Sequence, residues 1–491
     1  MTRLPYAFAR AYDLVLTEGD CHFAPKTPLS ALAEAQRVAQ RGLTLRDVSP
    51  TVLAEIMENT YRDSASAAAG AAEQASDQGK TDLASLADTA AAVDDLLDQR
   101  EDAPVVRLIN AILLEAIRAR ASDVHVEVEE ARLVVRFRVD GIMREALTSN
   151  RALAPQLVSR IKVMGRLDIA EKRLPQDGRV SLRVAEFHLD ARISTIPTQH
   201  GERVVMRLLD RGQTQTGVNG LGMNRAMQDV FERLLERPDG LILVTGPTGS
   251  GKTTTLYAGL DALNDQHRNI MTIEDPIEYA LPGIAQMQVN TATDLTFARG
   301  LRALLRQDPN VIMVGEIRDG ETARVAVESA MTGHLVLSTL HTNSAIGSVA
   351  RLIDLGAERF LLAPMLRGLI AQRLVRQTCP RCAAVHTITD TEAALLSYVI
   401  TSGETALKGL GCDDCNDTGF HGRVALYDLI EVTPELEQAI TAGASEAELG
   451  QVLQREVPGL LMDGVQKIRE GRTTPQEVAR VVFDAAQDGP A

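Results

Sequence analysis

LILVTGPTGSGKTTT, residues 241–255, decides the fold. An apolar run enters a glycine-rich loop, and TTTLYAGLDALND carries on from the loop as a helix. Gly246, Gly251, Lys252 and Thr253 fit G-x-x-x-x-G-K-[ST] in the strand–loop–helix setting that this pattern needs. Glycines let backbone N–H groups face an anion at a helix N-terminus. Gly246, Pro247, Thr248, Gly249, Ser250, Gly251, Lys252, Thr253 and Thr254 are therefore expected to cradle the phosphates of ATP. Lys252 would reach the β- and γ-phosphates, and Thr253 would ligate Mg²⁺. Further along, NIMTIED, NVIMVGE and HLVLSTLH are short apolar strands separated by helical segments. The expected fold class is α/β, with a parallel sheet whose ligands sit at the carboxyl ends of the strands.

Composition narrows the partners. The chain has 491 residues, enough for three or four units, and a 45% hydrophobic fraction that can fill their cores. Lys+Arg number 51 against 66 Asp+Glu, a formal net charge of -15, which argues against a dedicated nucleic-acid binder. Aromatic residues make up only 3%, so base-stacking platforms are not expected either. MTRLPYAFARAYDL lacks the apolar core and small-residue cleavage site of a signal peptide. No apolar run approaches the roughly 20 residues of a spanning helix. The expectation is a cytosolic protein, or one held at a membrane by a partner.

Outward from the loop the chain divides as follows. Residues 1–63 read as a small, mostly helical unit, and 64–100, rich in Ala, Ser, Gly and Asp, as a flexible linker. Residues 101–216 read as an α+β domain. Asp102-Ala103-Pro104 starts a helix, and Leu133, Val135, Phe137 and Val139 alternate with Arg136 and Arg138 before a turn at Asp140-Gly141. Residues 217–378 form the α/β core, 379–430 a cysteine-bearing insert, and 431–491 a helical end.

Three further groups carry chemistry. Glu316 ends the buried strand NVIMVGE, where a carboxylate can orient the attacking water, and it is assigned as the general base. Glu274 and Glu278 lie in EDPIE beside another strand end. Their spacing fits water and Mg²⁺ positioning and fits a solvated loop equally well. His334 and His341 flank LVLSTL, too far apart on an extended segment to share one metal. Each is read as a γ-phosphate sensor or as a structural histidine. Cys379, Cys382, Cys412 and Cys415 form two CxxC pairs 29 residues apart, the donor set of a closed tetrahedral zinc site. Cys21 is left over as a small buried hydrophobe.

GPTGSGKTTT, TIEDPIEY, NVIMVGEIRD and TGHLVLSTLHT occur in that order, and the arrangement resembles the ATPases of type II secretion and type IV pilus assembly. ASDVHVEVEEARLVVRFRVDG, RLPQDGRV, RISTIPTQHGERVVMRLLD and the tetracysteine insert extend the resemblance over about residues 100–485. LPYAFARAYDL and DLLDQREDAPVVRLINAILLEAI look most like the type II secretion branch. The resemblance implies a RecA-like core, a PAS-like α+β domain and a homohexamer. It implies that Arg192 and Arg207, with Arg203 a weaker candidate, reach phosphates of the same or a neighbouring subunit, and it strengthens Glu274, Glu278, His334 and His341. It also gives residues 1–63 a task, docking to an inner-membrane secretion protein, so that membrane contact is indirect. The expected function is an ATPase driving pseudopilus assembly in type II secretion, with type IV pilus assembly as the alternative. A nucleotide-gated DNA binder and a non-hydrolysing scaffold are the readings from other classes. The acidic balance opposes the first, and intact Lys252, Thr253 and Glu316 oppose the second.

Overall fold

The computed structural model describes residues 104–184, 187–210, 217–454, 457 and 459–483, and before them 12, 14–17, 20–25, 27–28, 31–32, 35, 44–49, 52–53, 56 and 83. The chain divides into two compact units, Met1–Gly212 and Gln213–Ala491.

The first unit opens with a sheet where mainly helix was expected. Strands β1 (Leu14–Leu16), β2 (Asp20–Phe23) and β3 (Thr44–Asp47) pair in that order, β1 with β2 antiparallel and β2 with β3 parallel. Strands of three and four residues are too short for an alternating pattern to stand out. Ala31 and Ala35, in the helix-like stretch, cover Leu14, Leu16 and Cys21. Cys21 is fully buried, and burial pushes its thiol pKa up. The linker assigned to 64–100 lies outside the described residues, apart from Leu83, which packs into the core that follows.

That core belongs to an α+β layer. Helix α1 (Pro104–Arg118) leads to β4 (Ala121–Val128), β5 (Arg132–Val139) and β6 (Ile142–Asn150). Helix α2 (Ala154–Met164), β7 (Gln176–Val184), β8 (Phe187–Thr198) and β9 (Gly201–Asp210) complete it. The strands form an antiparallel sheet in the order β6-β5-β4-β9-β8-β7. Asp140 and Gly141, at φ 49° and 85°, make the two-residue β5–β6 turn, whose left-handed backbone matches the strand twist. Leu133, Val135 and Phe137 face Leu108 and Ile112 of α1 in one buried cluster, and the arginines between them take the other face.

In the second unit a seven-stranded sheet runs β12-β11-β13-β14-β10-β15-β18. Its parallel members are β10 (Gly240–Thr245), β11 (Ile270–Glu274), β12 (Ala285–Gln288), β13 (Val311–Val314), β14 (Leu335–Leu340) and β15 (Leu366–Thr378). Helices α3 (Arg225–Leu235), α4 (Lys252–Leu263), α5 (Phe297–Leu304), α6 (Gly320–Met331) and α7 (Gly347–Asp354) connect or flank them. β10 is buried on both faces: Leu241 and Leu243 enter one core cluster and Ile242 and Val244 the other. Burying each such side chain contributes about 2 kcal/mol, which fixes the strand that launches the loop.

The insert carries the hairpin β16 (Ala383–Thr387) and β17 (Thr405–Gly409) around α8 (Asp390–Leu395). It ends sooner than residue 430. β18 (Phe420–Glu431) pairs antiparallel with β15 from Gly368↔Glu431 to Thr378↔Phe420 and so belongs to the core sheet. Helices α9 (Pro434–Ala442), α10 (Glu446–Val452), α11 (Gly459–Arg469) and α12 (Pro475–Phe483) close the unit.

Candidate functional site

The phosphate-loop residues leave the carboxyl end of β10 and enter α4. Gly246 has φ +152°, and a Cβ there would meet the Gln372 carbonyl at 2.5 Å and Ser250 Oγ at 2.6 Å. Gly251 has φ +88°, and its Cβ would meet Gln372 Nε2 at 2.7 Å. Both glycines are thus required by backbone conformation and by close approach. Gly251 caps α4 with no side-chain hydrogen bond, which leaves the first N–H groups of the helix for an anion. Lys252 Nζ donates to the carbonyls of Gly246 at 2.7 Å and Pro247 at 3.0 Å. Burial lowers its pKa to about 8; the Glu316 charge opposes that shift and Arg373 adds to it. Pro247, Thr248, Gly249 and Thr254 are exposed along the loop, and Ser250 is buried.

Glu316 lies just past β13, at the same carboxyl end of the sheet as the loop. Its carboxylate accepts from Arg318 Nη2, and His341 Nε2 stands 3.2 Å from its other oxygen. Burial alone would raise its pKa, but Arg318 and His341 outweigh burial and hold it below the ordinary glutamate value. A carboxylate kept ionised beside the phosphate loop can take up a proton or orient a water. His341 follows β14, and the next residue ties that strand end to the loop. Thr342 N donates to Thr245 Oγ1 at 2.9 Å, and the two hydroxyl oxygens are 2.6 Å apart.

His334 is not brought to this site. β14 runs parallel to β10 with Gly240↔Leu335 and Thr245↔Leu340, so His334 sits at the entry of β14 and His341 at its exit. Six residues of strand, about 20 Å, separate the two. The His334 ring instead pairs with the Ser329 carbonyl at 2.9 Å and Thr332 Oγ1 at 3.1 Å. Of the two histidines, each read as a sensor or as structural, only His341 lies at the strand end beside Glu316.

Glu274 is buried and already engaged. Tyr257 OH, Thr272 Oγ1 at 2.5 Å and Gln286 Nε2 at 3.1 Å all donate to its carboxylate. Tyr257 is on α4, five residues past Lys252, so this network joins the phosphate-loop helix to the end of β11. Glu278 lies four residues further on and is half-buried. No signal in the sequence marks Tyr257 or Gln286, because hydrogen-bond partners from separate elements share no spacing.

Arg192 and Arg207 lie in the first unit, on the polar face of its sheet. The register aligns Arg179↔Arg192, Arg192↔Arg207, Arg207↔Asp123 and Asp123↔Arg138 across five strands. Arg207 Nε pairs with Asp123 at 3.0 Å, and Arg203 Nη2 pairs with Glu127 at 2.7 Å. Arg192 is exposed and makes no ion pair among the described residues. Four guanidinium groups against one carboxylate give this row an excess of positive charge suited to a polyanion.

The four cysteine sulfurs all lie within 4.8 Å of one another. Cys379–Cys412 is 3.9 Å, Cys382–Cys415 is 3.8 Å and Cys412–Cys415 is 3.7 Å. A tetrahedron with Zn–S near 2.3 Å has edges of about 3.8 Å, so the residues fit Zn²⁺. N–H groups of Gly411, Cys412 and Gly419 point at the sulfurs at 3.2–3.3 Å and favour thiolates. With all four positions filled by protein, the ion would cross-link the insert and offer no place for substrate.

Glycine-rich loop, ionised strand-end carboxylate and strand-end histidine together define a P-loop ATPase. Residues 98–480 match the model of the family described as Type II/IV secretion system protein, and the chain belongs to that family. Within it the chain is of the type II branch: residues 3–61 match a separate domain model described for GSPII protein E. The type II secretion system protein E of Pseudomonas aeruginosa is 50% identical over 483 residues, covering 98% of this chain and 96% of that protein. The type II secretion system ATPase E of Vibrio cholerae is 46% identical over 490 residues, covering 98% and 97%. Among solved structures, the pilus retraction motor PilT with bound ADP aligns with TM-score 0.52 and 28% identity, over 78% of this chain and 97% of that one. The Legionella pneumophila ATPase DotB shares the fold, with TM-score 0.56 and 21% identity over 76% of this chain and 94% of that one.

Proposed function

We propose that this ATPase works as a homohexamer that couples ATP hydrolysis to pseudopilus assembly, and so moves folded proteins across the bacterial outer membrane. The observation that carries the chemistry is Glu316, held ionised by Arg318 and His341 beside the loop of Lys252. In this reading Glu316 orients and deprotonates the attacking water, while Lys252 and the loop N–H groups hold the phosphates. Thr253 would hold Mg²⁺, which would supply neutralising charge at the phosphates. Glu274 is a poor direct ligand, because three donors already occupy its carboxylate, and Glu278 is the freer acid of that segment. His341 senses the γ-phosphate through Glu316. Arg192 and Arg207 neutralise phosphates of their own or a neighbouring subunit, and Zn²⁺ braces the insert.

Residues 1–63 dock to an inner-membrane protein of the secretion apparatus. No described helix is long and apolar enough to cross a membrane, so the membrane role passes through that partner. The net charge of -15 favours a protein partner over nucleic acid. The relatives named for type II secretion, matched over nearly their full length, favour this machine over type IV pilus assembly. The test is to replace the chromosomal copy with Lys252→Ala and follow secreted proteins. Type II substrates should accumulate in the periplasm while type IV pili remain normal. Undiminished secretion, or a defect confined to pili, would contradict the proposal.

A further inference from the structure

The stretch LIAQRLV, residues 369–375, carries two polar residues through an apolar core where β15 passes the phosphate loop. Arg373 is only 3% exposed. No carboxylate among the described residues pairs with it. Its Nη1 donates to the Gln372 carbonyl at 3.0 Å, and its Nη2 to Asn343 O at 3.1 Å and Oδ1 at 3.3 Å. Its Nε is buried with no hydrogen-bond partner among the described residues. The guanidinium lies against the loop, since a Cβ on Gly246 would stand 3.0 Å from Nη1. Ser250 Oγ, within the loop, is likewise buried and unpartnered. Lys252 adds a second cation nearby, itself bonded among the described residues only to loop carbonyls.

A buried charge balanced only by peptide dipoles is costly, and proteins normally pair it. Two buried cations away from the loop follow that rule: Lys467 pairs with Asp463 and Lys162 with Glu202, whereas Lys252 and Arg373, both at the loop, pair with no carboxylate among the described residues. Arg373 departs from the rule at the one place where a polyanion is expected to arrive. We propose that Arg373 is a positioning residue of the phosphate loop whose counter-charge is the polyphosphate of the bound nucleotide. Its guanidinium is bonded to the loop after β14 and lies against the loop after β10, with no carboxylate among the described residues to compensate it. Nucleotide binding neutralises it, and its charge, more than its fork of hydrogen bonds, supports affinity. This rests on the nucleotide reading of the loop.

The test uses the full-length protein as wild type, Arg373→Lys, Arg373→Gln and Arg373→Met, with calorimetric titration of the Mg²⁺ complex of AMP-PNP. Loss of one nearby positive charge should weaken AMP-PNP binding by about tenfold or more in the Gln and Met variants. The Lys variant keeps the charge and loses the fork, so it should stay within about threefold of wild type. The proposal is overturned if Lys is as weak as Gln, which would make Arg373 a geometric brace. It is equally overturned if all variants bind like wild type, or if Gln and Met cannot fold without nucleotide. A wild-type protein that binds no AMP-PNP would instead remove the nucleotide reading itself, and with it the ground for this inference.

Discussion

Replacing Glu477 with Gln should release the last helix from the core in a pH-dependent way. Glu477, on α12, is 3% exposed at its side chain and binds Arg376 of β15 through Nη2 at 2.6 Å and the backbone N at 3.1 Å. Arg480 adds a 2.9 Å contact. Burial alone would raise the Glu477 pKa, but Arg376 and Arg480 overcome that and hold it at about 2, against an ordinary 4.5. At about 1.4 kcal/mol per pH unit, that difference corresponds to ~3 kcal/mol of stability. The figure agrees with the roughly 3–5 kcal/mol typical of breaking a buried ion pair. The folded-state pKa is depressed, so this stability is complete above about pH 4.5 and is lost as pH falls through about 2. Glu477→Gln should therefore lower the melting temperature by about 6–12 °C at pH 7. The gap to wild type should be the same at about pH 5.5 and should narrow between about pH 4.5 and 2, as read by thermal denaturation of both proteins. A gap that is absent at neutral pH, or that does not shrink in acid, would mean that the ion pair does not hold α12 in place.

The remaining predictions concern the active unit. Tyr257→Phe removes one donor to the buried Glu274 carboxylate and keeps the ring, so it should cost about 1.5–3 kcal/mol, measured by urea unfolding. An unchanged midpoint would mean that Thr272 and Gln286 suffice. Replacing Cys412 and Cys415 together with Ser should abolish bound zinc in elemental analysis and expose the insert to protease, while AMP-PNP affinity stays within about threefold of wild type. Lost nucleotide binding in that variant would show that the insert supports the loop. Lys252→Ala should remove measurable turnover in vitro as it removes secretion in cells, and residual phosphate release above about 1% of wild type would count against its role at the β- and γ-phosphates.

The parts legible in the sequence were those that one segment specifies alone. The loop from Gly246 to Thr253 and the CxxC pairs carry their chemistry in local spacing, and Leu133, Val135 and Phe137 announce their strand by alternation. What could not be read depends on elements meeting from a distance. β18 rejoins the core sheet after the insert, and nothing in FHGRVALYDLIE distinguishes that pairing from a local hairpin. His334 and His341 look alike in sequence, and only the parallel direction of β14 assigns one to the nucleotide end. The donors around Glu274 come from three elements. The clue to Arg373 was present as a polar pair inside LIAQRLV, and it gains meaning only once β15 is known to flank β10.

Phosphate release by the Glu316→Gln protein, measured alongside its ATP affinity, bears most directly on the catalytic assignment. The amide keeps the shape of the side chain and removes the charge that Arg318 and His341 hold in place. Turnover should fall by about 10²–10⁴-fold, with ATP bound within about threefold of wild type. Turnover close to wild type would place the base elsewhere and contradict the role given to Glu316.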